Sequence, residues 1–512
     1  MGVLASIIKD RRTPYAALAA IFVLALYLRT EAYLYAPDLP FGMGDAAFHY
    51  QIQERIYNGK DTDHIPNGLL YSEFQGRFFF PPFSYYLPAY VAKAVGDFQH
   101  SVYLVNGLFN CLAVLSTFLL AMELFGAYPA LASALFVALS IRDVSSLLWG
   151  QWPLTYSLPF ISLALYAGLK SLRSPKYIYL LSASLGLCAL TYPQIAIFSL
   201  SSFGGFLLLI RPKRMPYAPR HVLISVAIFL LLVLPLLMRW SDLEGKVASE
   251  GPSKLGLLST AFSWYPVDYL GIYPPKWYSS TYNYGIFGIA LALLGVGLLY
   301  LRREDKTAKA ALALFASMAG SLYLATHVTQ SFISLPRALK FIPAETYALA
   351  IVVAAPFSKR LTKDTRIRTL AFILLLLFAA DNLPTMAGAG ERIFPVGVRI
   401  TPGQMEAAAW LKENTGDEAA AVYYGFDEPY IDWGTVLSGR RILEPEGDRF
   451  FFQKTEVPLK GEVYAILDGN IPQAEGSIRA GYVRQLEAAD RLLSDRSVIV
   501  FSNGEVTIRR LT

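Results

Sequence analysis

The stretch PYAALAAIFVLALYLRTEAYLY, residues 14–35, is long and apolar enough to cross a membrane as one helix. Basic residues precede it, as in a signal peptide, but no small-residue cleavage site follows it. We therefore interpret it as a retained first membrane helix. The whole chain has the same character, because 54% of its 512 residues are hydrophobic and only 16% are charged, against about 25% charged in soluble domains.

Similar apolar runs recur along the first three quarters of the chain. With the first, they lie at about 14–35, 101–125, 127–141, 153–169, 177–192, 194–210, 219–238, 284–301, 308–326, 343–356 and 369–383. This pattern predicts a polytopic α-helical membrane protein with about eleven spans. Cys111 and Cys188 both lie inside such runs and are expected to pack as small apolar residues.

The basic residues between the runs fall on alternate sides of the predicted membrane. One side carries Lys9, Arg11, Arg12, Lys170, Arg173, Lys176, Arg211, Lys213, Arg214, Arg220, Arg302, Arg303, Lys306, Lys309, Lys359, Arg360, Lys363, Arg366 and Arg368. By the positive-inside rule this side is cytoplasmic. The N-terminus is then cytoplasmic, whereas the loop 36–100, the loop 142–151 and the tail from about 384 are outside. The net charge of +6 needs no nucleic-acid partner to explain it.

The tail from residue 384 to residue 512 has the composition of a small extracytoplasmic α/β domain, next to a membrane domain that spans residues 1–383. Thr401 is predicted as a helix N-cap, because Pro402 follows it at the first helical position. Ala419–Tyr424, Glu462–Leu467 and Ser497–Phe501 are predicted as strands. Asn503-Gly504 predicts a hairpin in which both turn residues have positive φ.

The segment Gly44-Asp45-Ala46-Ala47-Phe48-His49-Tyr50 opens the first external loop. The spacing of four places Asp45 and His49 on one face of a helix. Asp45 could act as a general base or bind a metal, and His49 could bind phosphate or a metal. The alternative is a helix-capping aspartate beside an interfacial histidine.

Three further groups of residues could contribute to a site. Phe80, Pro81, Pro82 and Tyr86 could form a wall for a polyprenyl chain or a plain interfacial anchor. Arg337 and Lys340 could bind a lipid phosphate or lie at the interface as anchors. Asp143 could be a second carboxylate near Asp45, although an ion pair between Arg142 and Asp143 is the favoured interpretation.

The order of these parts resembles the GT-C glycosyltransferases, integral-membrane enzymes that use polyprenyl-linked sugar donors. Gly44-Asp45 with His49 resembles their first acidic motif, and Phe80-Pro81-Pro82-Phe83 resembles their aromatic-proline segment. Pro336-Arg337-Ala338-Leu339-Lys340-Phe341 resembles the segment that contacts lipid phosphate in that family. The Trp-Trp-Asp-Tyr-Gly signature of oligosaccharyltransferases does not occur in this sequence, so the resemblance does not imply recognition of an Asn-x-Ser/Thr peptide.

The resemblance implies a glycosyltransferase of the plasma membrane, with the bilayer, a polyprenyl-phosphate-linked sugar and a glycan, lipid or protein acceptor as its partners. Asp45 would be the catalytic base, and Arg337, Lys340 and His49 would bind the donor phosphate. No cofactor is certain, and a divalent cation such as Mg or Mn on Asp45 and Asp143 is an open alternative. The other class considered is a transporter or a lipid- or glycan-handling protein without chemistry.

Overall fold

We describe the fold from a computed structural model of the chain. It describes residues 12–34, 37–42, 45–60, 83–212, 217–238, 280–324, 343–388, 400–425, 428–443, 462–469, 476–494 and 497–511. Phe80, Pro81, Pro82, Arg337 and Lys340 lie outside these ranges.

Helices make up the first part of the described chain. They are α1 Thr13–Leu34, α2 Ala46–Tyr57, α3 Phe83–Val95, α4 Phe98–Phe125, α5 Ala127–Ala138, α6 Ile141–Leu148, α7 Trp152–Ser171, α8 Tyr177–Ala189, α9 Pro193–Ile210, α10 Pro219–Met238, α11 Ser280–Leu301, α12 Lys306–Tyr323, α13 Ala344–Ala354 and α14 Thr365–Met386. Within the described residues, each of the apolar runs predicted from the sequence overlaps one of these helices.

Seven helices of the described chain are long and apolar enough to cross a membrane. These are Thr13–Leu34, Phe98–Phe125, Ala127–Leu148, Pro193–Ile210, Pro219–Met238, Asn283–Leu301 and Thr365–Met386. Tyr177–Ala189 and Ala344–Phe357 are shorter apolar helices. The predicted fold class, a polytopic helical membrane protein with a small C-terminal sheet, is confirmed, whereas the count of about eleven spans stays a prediction.

Burial distinguishes a central span from a peripheral one. The span Ala127–Leu148 is 89% buried, whereas Pro219–Met238 is only 17% buried and presents apolar side chains outward. Small residues allow close crossings near the centre, since a Cβ on Gly295 would lie 2.0 Å from the carbonyl oxygen of Val352. Such close approach is the usual basis of helix association in membranes.

The remaining elements form a mixed α/β unit. They are α15 Pro402–Asn414, β1 Ala420–Tyr424, α16 Glu428–Ser438, β2 Arg441–Leu443, β3 Val463–Asp468, α17 Gly476–Ser494, β4 Ser497–Ser502 and β5 Val506–Leu511. The sheet order is β2-β1-β3-β5-β4, with parallel pairing among the first three strands and antiparallel pairing beyond them. We call this unit, residues 400–511, the C-terminal domain.

Two local predictions can be compared with the C-terminal domain. Thr401 is the N-cap of α15 and forms a capping box with Gln404, as the sequence indicated. The hairpin also forms, but of its two predicted turn residues only Gly504 takes a positive φ, at 87°. The side chain of Asn503 instead accepts hydrogen bonds from the backbone N–H groups of Glu505 and Val506, at 3.1 and 2.8 Å. These bonds hold Asn503 in a turn conformation without positive φ.

Candidate functional site

Asp45 lies at the N-terminal end of α2. It occupies the N-cap position, yet its carboxylate makes no capping hydrogen bond to the helix. Asp45 is half-buried, while the next five residues, Ala46 to Tyr50, are buried. The Asp45 carboxylate therefore belongs to a firmly packed helix end. Helix capping, the structural alternative for this residue, does not explain why an aspartate lies there.

His49 follows Asp45 by one helical turn, as its spacing predicted. Its backbone N–H donates to the carbonyl oxygen of Asp45 at 3.0 Å. The imidazole is buried, and its Nδ1 lies 2.7 Å from the hydroxyl of Tyr85 on α3. Its ring also lies 6.3 Å from that of Trp152 on α7. Because Nδ1 is engaged by Tyr85, any phosphate contact of His49 would have to come from Nε2.

The turn at Gly150, between α6 and α7, packs directly against the Asp45 end of α2. Gly150 has a φ of 81°, and a Cβ on it would lie 2.1 Å from the backbone nitrogen of Ala46. A Cβ on Gly42 would lie 2.6 Å from the Cβ of Ala46 and 3.4 Å from the carbonyl oxygen of Leu148. The two loops that the sequence placed on one side of the membrane therefore meet beside Asp45.

Asp143 lies on α6 and is fully buried. Its carboxylate accepts hydrogen bonds from the hydroxyls of Tyr347, at 3.0 Å, and Thr346, at 3.3 Å, and it lies 3.9 Å from Arg29 Nη2. The predicted ion pair between Arg142 and Asp143 is wrong, because adjacent residues of a helix do not face each other. Arg142 instead lies 3.6 Å from Glu345.

Arg29 is a buried cation inside the first span that the sequence reasoning missed. Its guanidinium donates to the carbonyl oxygens of Ala138 at 2.9 Å and Val137 at 3.1 Å, and also to Asn110. Arg29 therefore binds carbonyl groups at the C-terminal end of α5. The next helix, α6, carries Asp143. A charged residue deep in an apolar run was the available signal, since intramembrane charges are usually functional.

The residues present do not fit a divalent cation held by Asp45 and Asp143. Ca²⁺ and Mg²⁺ need several oxygen ligands, but the oxygens of Asp143 already face Arg29, Tyr347 and Thr346. In the part of the chain that the structure describes, no group of three His, Cys, Asp or Glu side chains comes together. Of the two candidate metal ligands, Asp143 is fully buried and Asp45 is half-buried.

The C-terminal domain covers the segment that leads to Asp45. The indole of Trp433 on α16 is buried and donates to the carbonyl oxygen of Gly42 at 2.9 Å. Its ring packs edge-on against Tyr50 of α2. A second contact joins the Ile400 N–H to the Pro40 carbonyl at 3.4 Å. The site is thus shaped by both parts of the chain.

Charged groups of α2 and of the C-terminal domain also influence each other. Burial raises the pKa of Glu54 on α2, and the nearby ammonium of Lys412 on α15 opposes that rise. Burial likewise raises the pKa of the Tyr50 hydroxyl well above its ordinary value, with the Glu54 charge adding to the effect. Both groups are therefore biased towards their neutral forms.

Tyr86 is the described member of the predicted lipid groove. It lies on α3, is 41% exposed and stacks obliquely on Tyr90 with ring centroids 5.8 Å apart. The N–H of Phe83, at the start of the same helix, donates to the carbonyl oxygen of Leu190 at 3.2 Å. Two exposed aromatic rings on one helix face are suited to contact with acyl or polyprenyl chains.

Comparisons with known proteins agree with this architecture. The family model of dolichyl-phosphate-mannose-protein mannosyltransferases matches residues 80–240. No curated protein sequence matches the chain. Among solved structures, ArnT from Cupriavidus metallidurans is 12% identical, with 98% of each chain covered and a TM-score of 0.61 in the apo state. The structure of the same protein bound to undecaprenyl phosphate is 13% identical, with 98% of each chain covered and a TM-score of 0.54.

The oligosaccharyltransferase of Archaeoglobus fulgidus in its apo form is another similar structure. It is 15% identical, with 90% of this chain and 70% of that chain covered and a TM-score of 0.56. At such identities the similarity concerns the fold. The chain therefore shares the membrane-protein fold of ArnT and of this oligosaccharyltransferase, in agreement with the fold that the sequence predicts.

Proposed function

We propose that this chain, which has the GT-C membrane fold, transfers a sugar from a polyprenyl-phosphate donor to an acceptor at the extracytoplasmic face. The position of Asp45 carries this proposal, because its carboxylate is fixed on a buried helix end and is not used to cap it. Two further observations support it. The matching family model describes transferases with a dolichyl-phosphate sugar donor, and ArnT, which has the same fold, binds undecaprenyl phosphate.

Asp45 acts as the general base in this proposal. The acceptor hydroxyl gives its proton to the Asp45 carboxylate, and the acceptor oxygen attacks the anomeric carbon of the donor sugar. The bond between that carbon and the phosphate oxygen breaks, and polyprenyl phosphate leaves. A single displacement of this kind inverts the anomeric centre. A positioned base contributes about 10²–10⁴-fold to the rate.

The leaving phosphate needs positive charge close to it. We assign this role to Arg337, helped by Lys340 and by Nε2 of His49, since fixed cations and donors stabilise a developing anion. Phe80, Pro81, Pro82 and Tyr86 would line the path of the polyprenyl chain. No step of this proposal passes through a divalent cation, because Asp143 is engaged with Arg29 and two hydroxyls.

The deciding experiment compares two aspartates of the same external segment. The purified protein is reconstituted in vesicles and supplied with labelled dolichyl-phosphate-mannose, a polyprenyl-phosphate pentose and a membrane extract as the source of acceptors. Asp45→Asn should abolish transfer without changing thermal unfolding. Asp38→Asn, at an exposed position seven residues earlier, should leave transfer unchanged.

The outcome also separates the proposal from the alternative function. Full transfer by the Asp45→Asn variant would refute the role of Asp45. A wild-type protein that binds polyprenyl phosphate but transfers neither sugar to any acceptor would support a lipid-handling protein or a transporter instead. Transfer of the hexose but not the pentose, or the reverse, would identify the donor class.

A further inference from the structure

A groove lies at the opposite end of the bundle from Asp45, beside the basic loops. It has a volume of about 490 Å³ and is bounded by the first residues of α5, the 3₁₀ turn Ala355–Phe357 and the first two turns of α14. A volume of this size is in the usual range for a small-molecule site, about 300–1,000 Å³. By the positive-inside rule this end faces the cytoplasm.

The wall formed by α14 changes from polar to apolar along its length. Thr365, Arg368, Thr369 and Phe372 all line the groove, and their spacing of three, four and seven places them on one helix face. The opposite wall begins with Tyr128, which is 46% exposed. The groove therefore has a cation and two hydroxyls along the first turn of α14, and the ring of Phe372 lies one turn further along that helix.

Arg368 has donor capacity that the described residues do not use. Its Nε is buried and has no hydrogen-bond partner in the part of the chain that the structure describes. Its Nη2 reaches only the carbonyl oxygen of Lys363, at a long 3.5 Å. Buried donors of this kind normally have a partner, and a guanidinium is suited to the paired oxygens of a phosphate.

The charges around the groove favour an anion as well. Lys359, Arg360, Lys363, Arg366 and Arg368 lie within ten residues of the chain, and Asp364 is the acid among them. Asp364 caps α14 by accepting from the Arg366 N–H at 2.8 Å. Arg360 is engaged with Asp305 at 3.2 Å. Arg368 is the member of this basic segment that lines the groove.

We propose that this groove binds an anionic phospholipid of the cytoplasmic leaflet. The lipid phosphate lies against the Arg368 guanidinium and the hydroxyls of Thr365 and Thr369, and one acyl chain follows Tyr128 and Phe372 towards the bilayer centre. Basic pockets between membrane helices on the cytoplasmic side are suited to such headgroups. The site is distinct from sugar transfer, since it lies at the other end of the helices.

The test uses the full-length protein purified in detergent and needs no sugar donor. Labelled phosphatidylglycerol and labelled phosphatidylcholine are offered separately, and the lipid retained on the protein is measured by native mass spectrometry. Arg368→Gln should weaken phosphatidylglycerol binding by about tenfold, as expected for a lost charge-assisted hydrogen bond. Arg366→Gln is the matched control, since this arginine is exposed and does not line the groove.

Each outcome supports or overturns the site. Selective loss in Arg368→Gln, with Arg368→Lys intermediate and unchanged thermal unfolding, supports it. Equal losses in Arg366→Gln and Arg368→Gln would show diffuse attraction to the basic loops, and insensitivity to both would place the lipid elsewhere. If inorganic phosphate displaces labelled phosphatidylglycerol as effectively as unlabelled phosphatidylglycerol does, the groove binds phosphate and not a lipid. Arg368-dependent binding of undecaprenyl phosphate, but not of phosphatidylglycerol, would assign the groove to the carrier lipid instead.

Discussion

The indole Nε1 of Trp433 donates a hydrogen bond to the carbonyl oxygen of Gly42, although 391 residues separate them in the chain. Gly42 lies three residues before Asp45, and Trp433 also packs on Tyr50, five residues after it. One side chain of the C-terminal domain therefore contacts the chain on both sides of the proposed base. The domain should influence transfer through this contact.

Replacing Trp433 by phenylalanine removes the N–H but keeps an aromatic ring against Tyr50. The carbonyl of Gly42 then loses its partner, which costs about 0.5–1.5 kcal/mol. We expect a few-fold lower transfer rate, with faster hydrogen–deuterium exchange in α2 and little change in thermal unfolding. Trp433→Ala should be more severe, because truncating a buried tryptophan costs about 3–5 kcal/mol.

Trp410→Phe is the matched control for this pair. Trp410 belongs to the same domain, but its ring contacts Tyr464 and Phe501 within that domain. It should leave exchange in α2 unchanged. If Trp410→Phe and Trp433→Phe reduce transfer equally, the effect comes from general weakening of the domain and not from the contact with Gly42.

The sequence predicted the features that depend on neighbouring residues. Apolar runs located the helices, and Thr401 with Pro402 located the start of α15, because hydropathy and capping are properties of short segments. Asp45 and His49 were placed one turn apart for the same reason. Even the hairpin at Gly504 was found, although the side-chain bonds of Asn503 changed its turn conformation.

The features that the sequence did not predict depend on how distant helices pack. Arg29 reaches Asp143 across 114 positions of the chain, and nothing local indicates that α1 and α6 face each other there. Sequence adjacency suggests Arg142 as the partner of Asp143, but adjacent side chains of a helix point in different directions. The contact between Trp433 and Gly42 was missed for the same reason.

Arg29 and Asp143 should behave as a coupled pair. Arg29→Met leaves the Asp143 carboxylate buried without its cation, and breaking a buried pair in this way costs about 3–5 kcal/mol. The double variant Arg29→Met/Asp143→Leu removes both charges and should recover part of that loss. Recovery should be incomplete, since the carbonyls of Val137 and Ala138 also lose their donor.

The double-mutant cycle is completed by measuring thermal unfolding in detergent. The four proteins are the wild type, Arg29→Met, Asp143→Leu and the double variant. If the double variant loses as much stability as the two single variants together, or more, the coupling is contradicted. Asp143→Asn adds an independent check, because an amide keeps an acceptor for Tyr347 while removing the charge. It should destabilise less than Arg29→Met.

Glu54 should make the stability of the protein depend on pH. Burial raises its pKa in the folded state above the unfolded value of about 4.3. The folded state then holds the proton more tightly, so the contribution of Glu54 is fully present below about pH 4 and is lost as the pH rises through the folded pKa. Glu54→Gln should flatten this part of the curve of unfolding temperature against pH.

Two further variants test the assignment to Glu54. Lys412→Gln removes the ammonium that opposes the rise, so the fall in stability should extend to higher pH. Glu413→Gln, at an exposed position next to Lys412, should leave the curve as it is. An unchanged curve in Glu54→Gln would show that other groups cause the pH dependence.

Gly150 should be needed for transfer because of its contact with the Asp45 end of α2. Its φ of 81° is unfavourable for alanine, and the added Cβ would lie 2.1 Å from the backbone nitrogen of Ala46. The start of α2 must then move, and a misplacement of about 1 Å at a reacting group can cost 10²-fold in rate. Gly150→Ala should therefore reduce transfer strongly, measured with the donor that the wild-type protein uses. Gly204→Ala is the control. Among the described residues, nothing beyond its own helix turn lies within 4 Å of its Cβ position in α9, and alanine favours a helix by about 1 kcal/mol relative to glycine. Equal activity of the two variants would show that the turn at Gly150 does not position Asp45.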